Sequence, residues 1–194
     1  RSTHCISSAA SDVYKRQYGT SILQGGCASR PGMAHTNIIS RRLNRECVNF
    51  GFSGNALLDL EVAKVMAEID AGVFVLDFAP NASVKQIKER MVTFYQIIRA
   101  KHPQTPVLFV EDPVFTHVLF DQEIAREVEE RNQALNEIFG TLKKNGEKNI
   151  YLIPSSEMLG KDGEATVDGV HFTDLGMMRY ADLLCPIIKR FIAL

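Results

Sequence analysis

The chain has no tryptophan, only four cysteines among 194 residues, and no excess of either charge. Each shortage excludes something. Twenty-two Lys and Arg against 23 Asp and Glu leave a formal net charge of −1, so the basic footprint of a nucleic-acid binder and a polybasic membrane patch are both missing. The apolar runs are too short to span a bilayer. Cys5, Cys27, Cys47 and Cys185 show neither CxxC spacing nor a histidine cluster, which argues against a disulfide framework and a zinc site. A Cys27–Cys47 bridge stays open, and cysteine usage assigns no compartment.

What is present is ordinary globular composition, 45% hydrophobic and 23% charged, at a length that suits one domain. The first 17 residues, RSTHCISSAASDVYKRQ, carry neither helical nor strand periodicity and no apolar stretch of signal-peptide type. They are expected to be a disordered or non-native segment (1–17), a fragment start or cloning remnant, ahead of a domain over 18–194. The lack of a targeting signal is then uninformative, and cytoplasmic, secreted and periplasmic locations all stay open.

From Tyr18 onward short apolar runs alternate with longer helical patterns. Cys47–Phe50, Val73–Asp77, Val107–Val110 and Asn149–Ile153 read as strands, the last three near-continuously apolar, as parallel strands covered on both faces are. A further strand of poor sequence leads into Tyr18. Between them, Val84, Ile87, Met91, Phe94 and Ile98 step by three and four, with Ser83 and Gln86 forming a capping box. Val62, Val65, Met66 and Ile69 form a second stripe behind Asp59. Ile124, Val128, Leu135, Ile138, Phe139 and Leu142 form a third, and a last helix starts at Thr173. The alternation predicts an α/β fold, a three-layer α/β/α sandwich with about five parallel strands, flavodoxin-like.

Ligands of such folds bind beyond the carboxyl ends of the strands. The segments expected there are Gly19-Thr20-Ser21, Gly51-Phe52-Ser53-Gly54, Ala79-Pro80-Asn81, Glu111-Asp112 and, after a longer loop, Asp168-Gly169-Val170-His171. Taken singly each has a plain reading: a turn, a helix cap or a solvated loop. Their joint placement at strand ends is what points to one acyl-transfer centre.

The blocks GTSILQGG, NFGFSGN, APNAS and DGVHFTDLG resemble, in order and approximate spacing, those of the SGNH (GDSL-like) hydrolases, over residues 18 to 194. The resemblance implies Ser21 as nucleophile, His171 as base and Asp168 as the acid that steers it. It also implies an oxyanion hole from the Ser21 and Gly54 N–H groups and the Asn81 side-chain amide. The longer string GTSILQGGCASRPGMA is most similar to a bacterial subgroup whose members often carry an N-terminal β-sandwich domain. The residue types suit the chemistry. A serine hydroxyl needs a positioned base, and an imidazole, with an unperturbed pKa of about 6.5, can accept its proton near neutrality. Two positions depart from the common pattern. Thr20 stands where the family usually has Asp, and Ala82 follows Asn81 where many members have Asp.

The expected function is hydrolysis of a carboxylic ester on a small molecule through an acyl-serine, with short acyl groups preferred, acetyl on carbohydrate among them. No cofactor, metal, nucleic-acid or membrane partner is expected. Thioesterase or lysophospholipase action by the same centre, and a non-catalytic binding module, are the alternatives. His117, His102 and His35 are expected to face solvent. Arg30 is a possible substrate contact, Glu111-Asp112 a solvated loop, and Met177-Met178 core.

Overall fold

The computed structural model describes residues 13 to 192. Five parallel strands, β1 (Val13–Gly19), β2 (Glu46–Gly51), β3 (Val73–Asp77), β4 (Val107–Val110) and β5 (Ile150–Ile153), form one sheet in the order β2-β1-β3-β4-β5. The helices are α1 (Ser21–Gln24), α2 (His35–Leu43), α3 (Leu60–Ala67), α4 (Val84–Lys101), α5 (Gln122–Lys144) and α6 (Asp174–Lys189). This is the expected α/β/α sandwich. Strand residues alternate between two cores as the pleat requires. Val73, Val75, Leu108 and Val110 pack into one core with α2 and α6. Phe74, Leu76, Val107 and Phe109 pack into the other with α3, α4 and α5.

The capping box at α4 forms as predicted, with Ser83 Oγ accepting from Gln86 N–H and Gln86 Oε1 accepting from Ser83 N–H. Other expectations are corrected. The stripe assigned to α3 is rotated: Ala63, Met66 and Ala67 are buried, whereas Val65 is exposed and Ile69 lies beyond the helix end. Met177 is core but Met178 is exposed. Cys27, Cys47 and Cys185 are free thiols, so no Cys27–Cys47 bridge exists; Cys5 lies outside the described residues.

The larger correction concerns the segment set apart at 1–17. Val13–Gln17 belong to β1, the strand between β2 and β3, and Lys15, Arg16 and Gln17 are buried there. Residues 1–12 lie outside the described residues. With β2 on one side of β1 and β3 on the other, the chain reverses its winding direction at β1/β3. The crevice outside these two carboxyl ends is where ligands of doubly wound sheets bind.

Candidate active site

Ser21 opens α1 immediately after β1. Thr20 is its N-cap, and Thr20 Oγ1 accepts from Ile22 N–H at 3.2 Å. The position that usually holds Asp in this pattern thus carries a hydroxyl with a capping role, buried at the base of the turn. Gly25 ends the helix in a left-handed conformation (φ 87°), and Gly26 N–H donates to Ser21 O at 2.9 Å. A Cβ on Gly26 would meet that carbonyl oxygen at 2.9 Å, so the glycine pair is what lets the chain fold back over the serine.

The partner of Ser21 arrives from the far end of the chain. Residues 165–173 fold into a closed turn, with Val167 N–H donating to His171 O and Thr173 N–H to Ala165 O. Inside it, Asp168 Oδ1 accepts from Val170 N–H (3.0 Å) and His171 N–H (2.7 Å), and Asp168 Oδ2 pairs with His171 Nδ1 at 2.7 Å. His171 Nε2 lies 2.9 Å from Ser21 Oγ. An ionised carboxylate can only accept, so Nδ1 carries the ring proton and Nε2 of the neutral ring accepts from the serine hydroxyl.

Desolvation pushes the Asp168 carboxyl up, but hydrogen bonds from the His171 ring, His171 N–H and Val170 N–H outweigh it and hold the group at about 2. A depressed carboxyl stabilises the folded chain fully above the unfolded value of about 3.9, and the contribution fades as pH falls towards the folded one. Acid unfolding of wild type and Asp168→Asn should therefore show a stability gap that is level above about pH 4 and closes towards pH 2. A gap of constant size down to that pH would assign the effect to packing.

Ser21 and His171 line a cleft of about 410 Å³ together with Ser53, Gly54, Pro80 and Asn81. Gly54 has φ 66°, and a Cβ there would meet no protein atom within 4 Å. The backbone conformation, rather than crowding by protein atoms, is what requires glycine. Asn81 Oδ1 accepts from Ala56 N–H at 3.3 Å, which fixes the amide, and among the described residues its Nδ2 has no acceptor. Ala82, where a second carboxylate is common, is buried, so a charge there would need a partner. All five predicted site residues, Ser21, Gly54, Asn81, Asp168 and His171, thus gather at one rim of the sheet. Larger grooves of about 490 and 570 Å³ run along α4/α5 and beside Val114 and Val118, and neither is lined by such a group.

The far wall was not foreseen. Phe115 and His117 follow β4, and Ile124, Glu127 and Arg131 reach in from the first turns of α5. Their position past the carboxyl end of β4 was the available signal; the run Glu127–Arg131 had read as an exposed face. Arg131 Nε donates to Asp112 Oδ2 at 2.7 Å, and Asp112 is fully buried, its carboxyl raised to about 7 by desolvation against the pull of Arg131. Glu111 accepts from Asn136 and from Ser155 N–H. The pair expected to be a solvated loop is a latch that seats α5 on the sheet. His35, expected in solvent, is buried against Tyr180, with Nε2 3.2 Å from Gln17 Nε2. His102 is buried with Nε2 2.9 Å from Ala67 O. Arg30 is exposed beside Asp174, outside the cleft.

The model of the GDSL-like lipase/acylhydrolase family matches residues 16–189. The chain belongs to that family. Among solved structures, this GDSL-like chain is 40% identical to a protein from Bacteroides ovatus ATCC 8483 described as a GDSL-like lipase, with a TM-score of 0.89 over 92% of this chain and 53% of that one. It also superposes on the salicylyl-acyltransferase SsfX3 from a tetracycline biosynthetic pathway (17% identity, TM-score 0.80, 94% of this chain, 55% of that one). A family two carbohydrate esterase from Clostridium thermocellum in complex with cellohexaose matches at 14% identity and TM-score 0.68 (92% and 64%). The last two likenesses speak for the fold alone. The GDSL-like chain spans between about half and two thirds of the length of these three proteins. No curated protein matches it in sequence. Among the described residues, no helix is long and apolar enough to cross a membrane.

Proposed function

We propose that the protein is a serine esterase that hydrolyses carboxylic esters through an acyl-Ser21 intermediate. The observation that carries this reading is the continuous chain Ser21 Oγ–His171 Nε2 (2.9 Å) and His171 Nδ1–Asp168 Oδ2 (2.7 Å), opening onto a cleft. Ser21 Oγ attacks the ester carbonyl as its proton passes to His171 Nε2, and Asp168 stabilises the imidazolium that forms. The oxyanion is met by the Ser21 and Gly54 N–H groups and by Asn81 Nδ2. Collapse breaks the bond to the alcohol, which leaves with the proton from His171. Water then attacks the acyl-enzyme by the same proton route and restores Ser21.

The cleft supports a short acyl group. Ile22, Pro80, Phe115, Ile124 and Val170 give it apolar surface, while His117, Glu127 and Arg131 give a polar face suited to a hydroxyl-bearing alcohol such as a sugar. Hydrolysis of 4-nitrophenyl acetate should exceed that of long-chain esters; the reverse preference would favour the lysophospholipase alternative. Covalent labelling of Ser21 by a fluorophosphonate is the direct test. No adduct on the folded protein, together with no turnover of any ester, would leave a binding module instead. Asn81→Ala should lower kcat about 10²–10³-fold with little change in KM, because the amide meets charge that exists only in the transition state. Equal effects on substrate affinity would demote Asn81 to ground-state binding.

A further inference from the structure

The turn that closes α1 brings a third kind of ligand to the site. Cys27 follows the Gly25–Gly26 pair, is exposed and carries no disulfide. Its Sγ, a carboxylate oxygen of Asp168 and a ring nitrogen of His171 all lie within 4.8 Å of one another. Among the described residues this is the one group of three His, Cys, Asp or Glu side chains so arranged. The position of Cys27 is set by the same contacts that shape the serine turn. Gly26 N–H is bound to Ser21 O, and a Cβ on Gly26 would stand 3.6 Å from His171 Cδ2.

A thiolate, an imidazole and a carboxylate are the donors of Zn²⁺, whereas Mg²⁺ and Ca²⁺ take oxygen alone. Tetrahedral ligation, with Zn–S of about 2.3 Å and Zn–N and Zn–O of about 2.0–2.2 Å, sets donor atoms about 3.3–3.6 Å apart. Cys27 Sγ has to swing in from its place within 4.8 Å, and His171 Nδ1 and Asp168 Oδ2, 2.7 Å apart across a hydrogen bond, have to open as the metal replaces the proton between them. Rotation of the exposed Cys27 side chain can supply the first movement. The fourth position stays open to water. We propose that Cys27, Asp168 and His171 form a binding site for a thiophilic divalent cation, Zn²⁺ foremost, and that its occupation switches the active site off. Its inhibitory consequence rests on the serine-esterase reading; its existence does not. The sequence had argued against zinc because the cysteines show neither CxxC spacing nor a histidine cluster, and only the fold brings these three side chains together.

The step is a ligand exchange without redox change. The Cys27 thiol loses its proton to solvent as the S–metal bond forms, and Asp168 brings a carboxylate oxygen. His171 ligates through Nδ1, the nitrogen that faces Asp168, and that nitrogen's proton moves to Nε2, which then donates to Ser21 Oγ instead of accepting from it. One proton is released per ion and no base faces the serine.

The purified full chain is titrated with ZnCl₂ by calorimetry and with Co²⁺ by absorption spectroscopy, and 4-nitrophenyl acetate hydrolysis is followed over the same zinc range. We expect one zinc per chain, inhibition that tracks occupancy and is reversed by a chelator, and a near-ultraviolet thiolate-to-cobalt charge-transfer band. Cys27→Ser should keep the metal-free rate, lose the band, and weaken zinc binding and inhibition by roughly tenfold or more. Two results would overturn the site: no zinc binding up to millimolar concentration, or a serine variant that binds and is inhibited like wild type, which would mean an adventitious ion only. The failures separate cleanly. A chain that binds zinc through Cys27 but hydrolyses no ester refutes the esterase and keeps the site, while one that hydrolyses but ignores zinc does the opposite.

Discussion

Ser21→Ala should lower ester turnover about 10⁴–10⁶-fold and leave the fold and its melting temperature essentially unchanged. The size follows from what is lost. Without Oγ there is no covalent intermediate, and His171 can at most assist a water molecule from a position set for a serine 2.9 Å away. Stability should hold because Ser21 is the first residue of α1, half-buried, and the cap belongs to Thr20, whose Oγ1 still accepts from Ile22 N–H. Alanine is well tolerated there, and water can take the place of Oγ on His171 Nε2. His171→Ala should cost a similar amount, and the double variant little more than either single one, because the two groups act as one unit. Additive losses would mean that the groups work separately. Wild-type turnover in Ser21→Ala would remove the nucleophile.

The site was legible because its residues sit where the sheet ends, and the sheet is written in its apolar strands. Val73–Asp77 and Val107–Val110 are buried on both faces, which forces the unbroken apolar runs that mark them in sequence. The α4 stripe and its capping box are local and were equally plain. What could not be read depends on partners distant in sequence. Asp112 looks solvated until Arg131 is brought to it by the return of α5. His35 and His102 look like surface residues until Tyr180 and Phe74 pack on them. On α3, Met66 and Val65 are adjacent and both apolar, and only the angle at which the helix lies on α4 decides which one is buried. The wall of the cleft made by Ser21, Gly54, Asn81 and His171, from blocks quoted in the sequence, was foreseen. The far wall, made by Phe115, His117, Ile124, Glu127 and Arg131, carries no motif.

Lys15→Met should stabilise the protein by about 1–4 kcal/mol at neutral pH. Lys15 stands mid-strand in β1, paired with Cys47 on one side and Val73 on the other, fully buried, and among the described residues its Nζ has no hydrogen-bond partner. Desolvation pushes its ammonium down from the usual lysine range, opposed by weaker attraction from Cys47, Asp77 and Cys185. Methionine has nearly the same length and no group to solvate. The strand forms despite this residue because its neighbours leave a strand-wide gap: without β1, both β2 and β3 would carry an unpaired edge over two packed cores. That is also why no periodicity in YKRQ announces the strand. The sign of the pH dependence follows. A lysine whose folded value is depressed binds fewer protons folded than unfolded, so wild-type stability should climb as pH rises through the folded value towards about 10.4. Denaturant melts of both proteins at several pH values should show the methionine variant ahead, its lead shrinking as the medium becomes alkaline. No lead at neutral pH would mean that the ammonium reaches solvent, and with it that β1 lies less deeply between its neighbours than the burial of Lys15 and Gln17 requires.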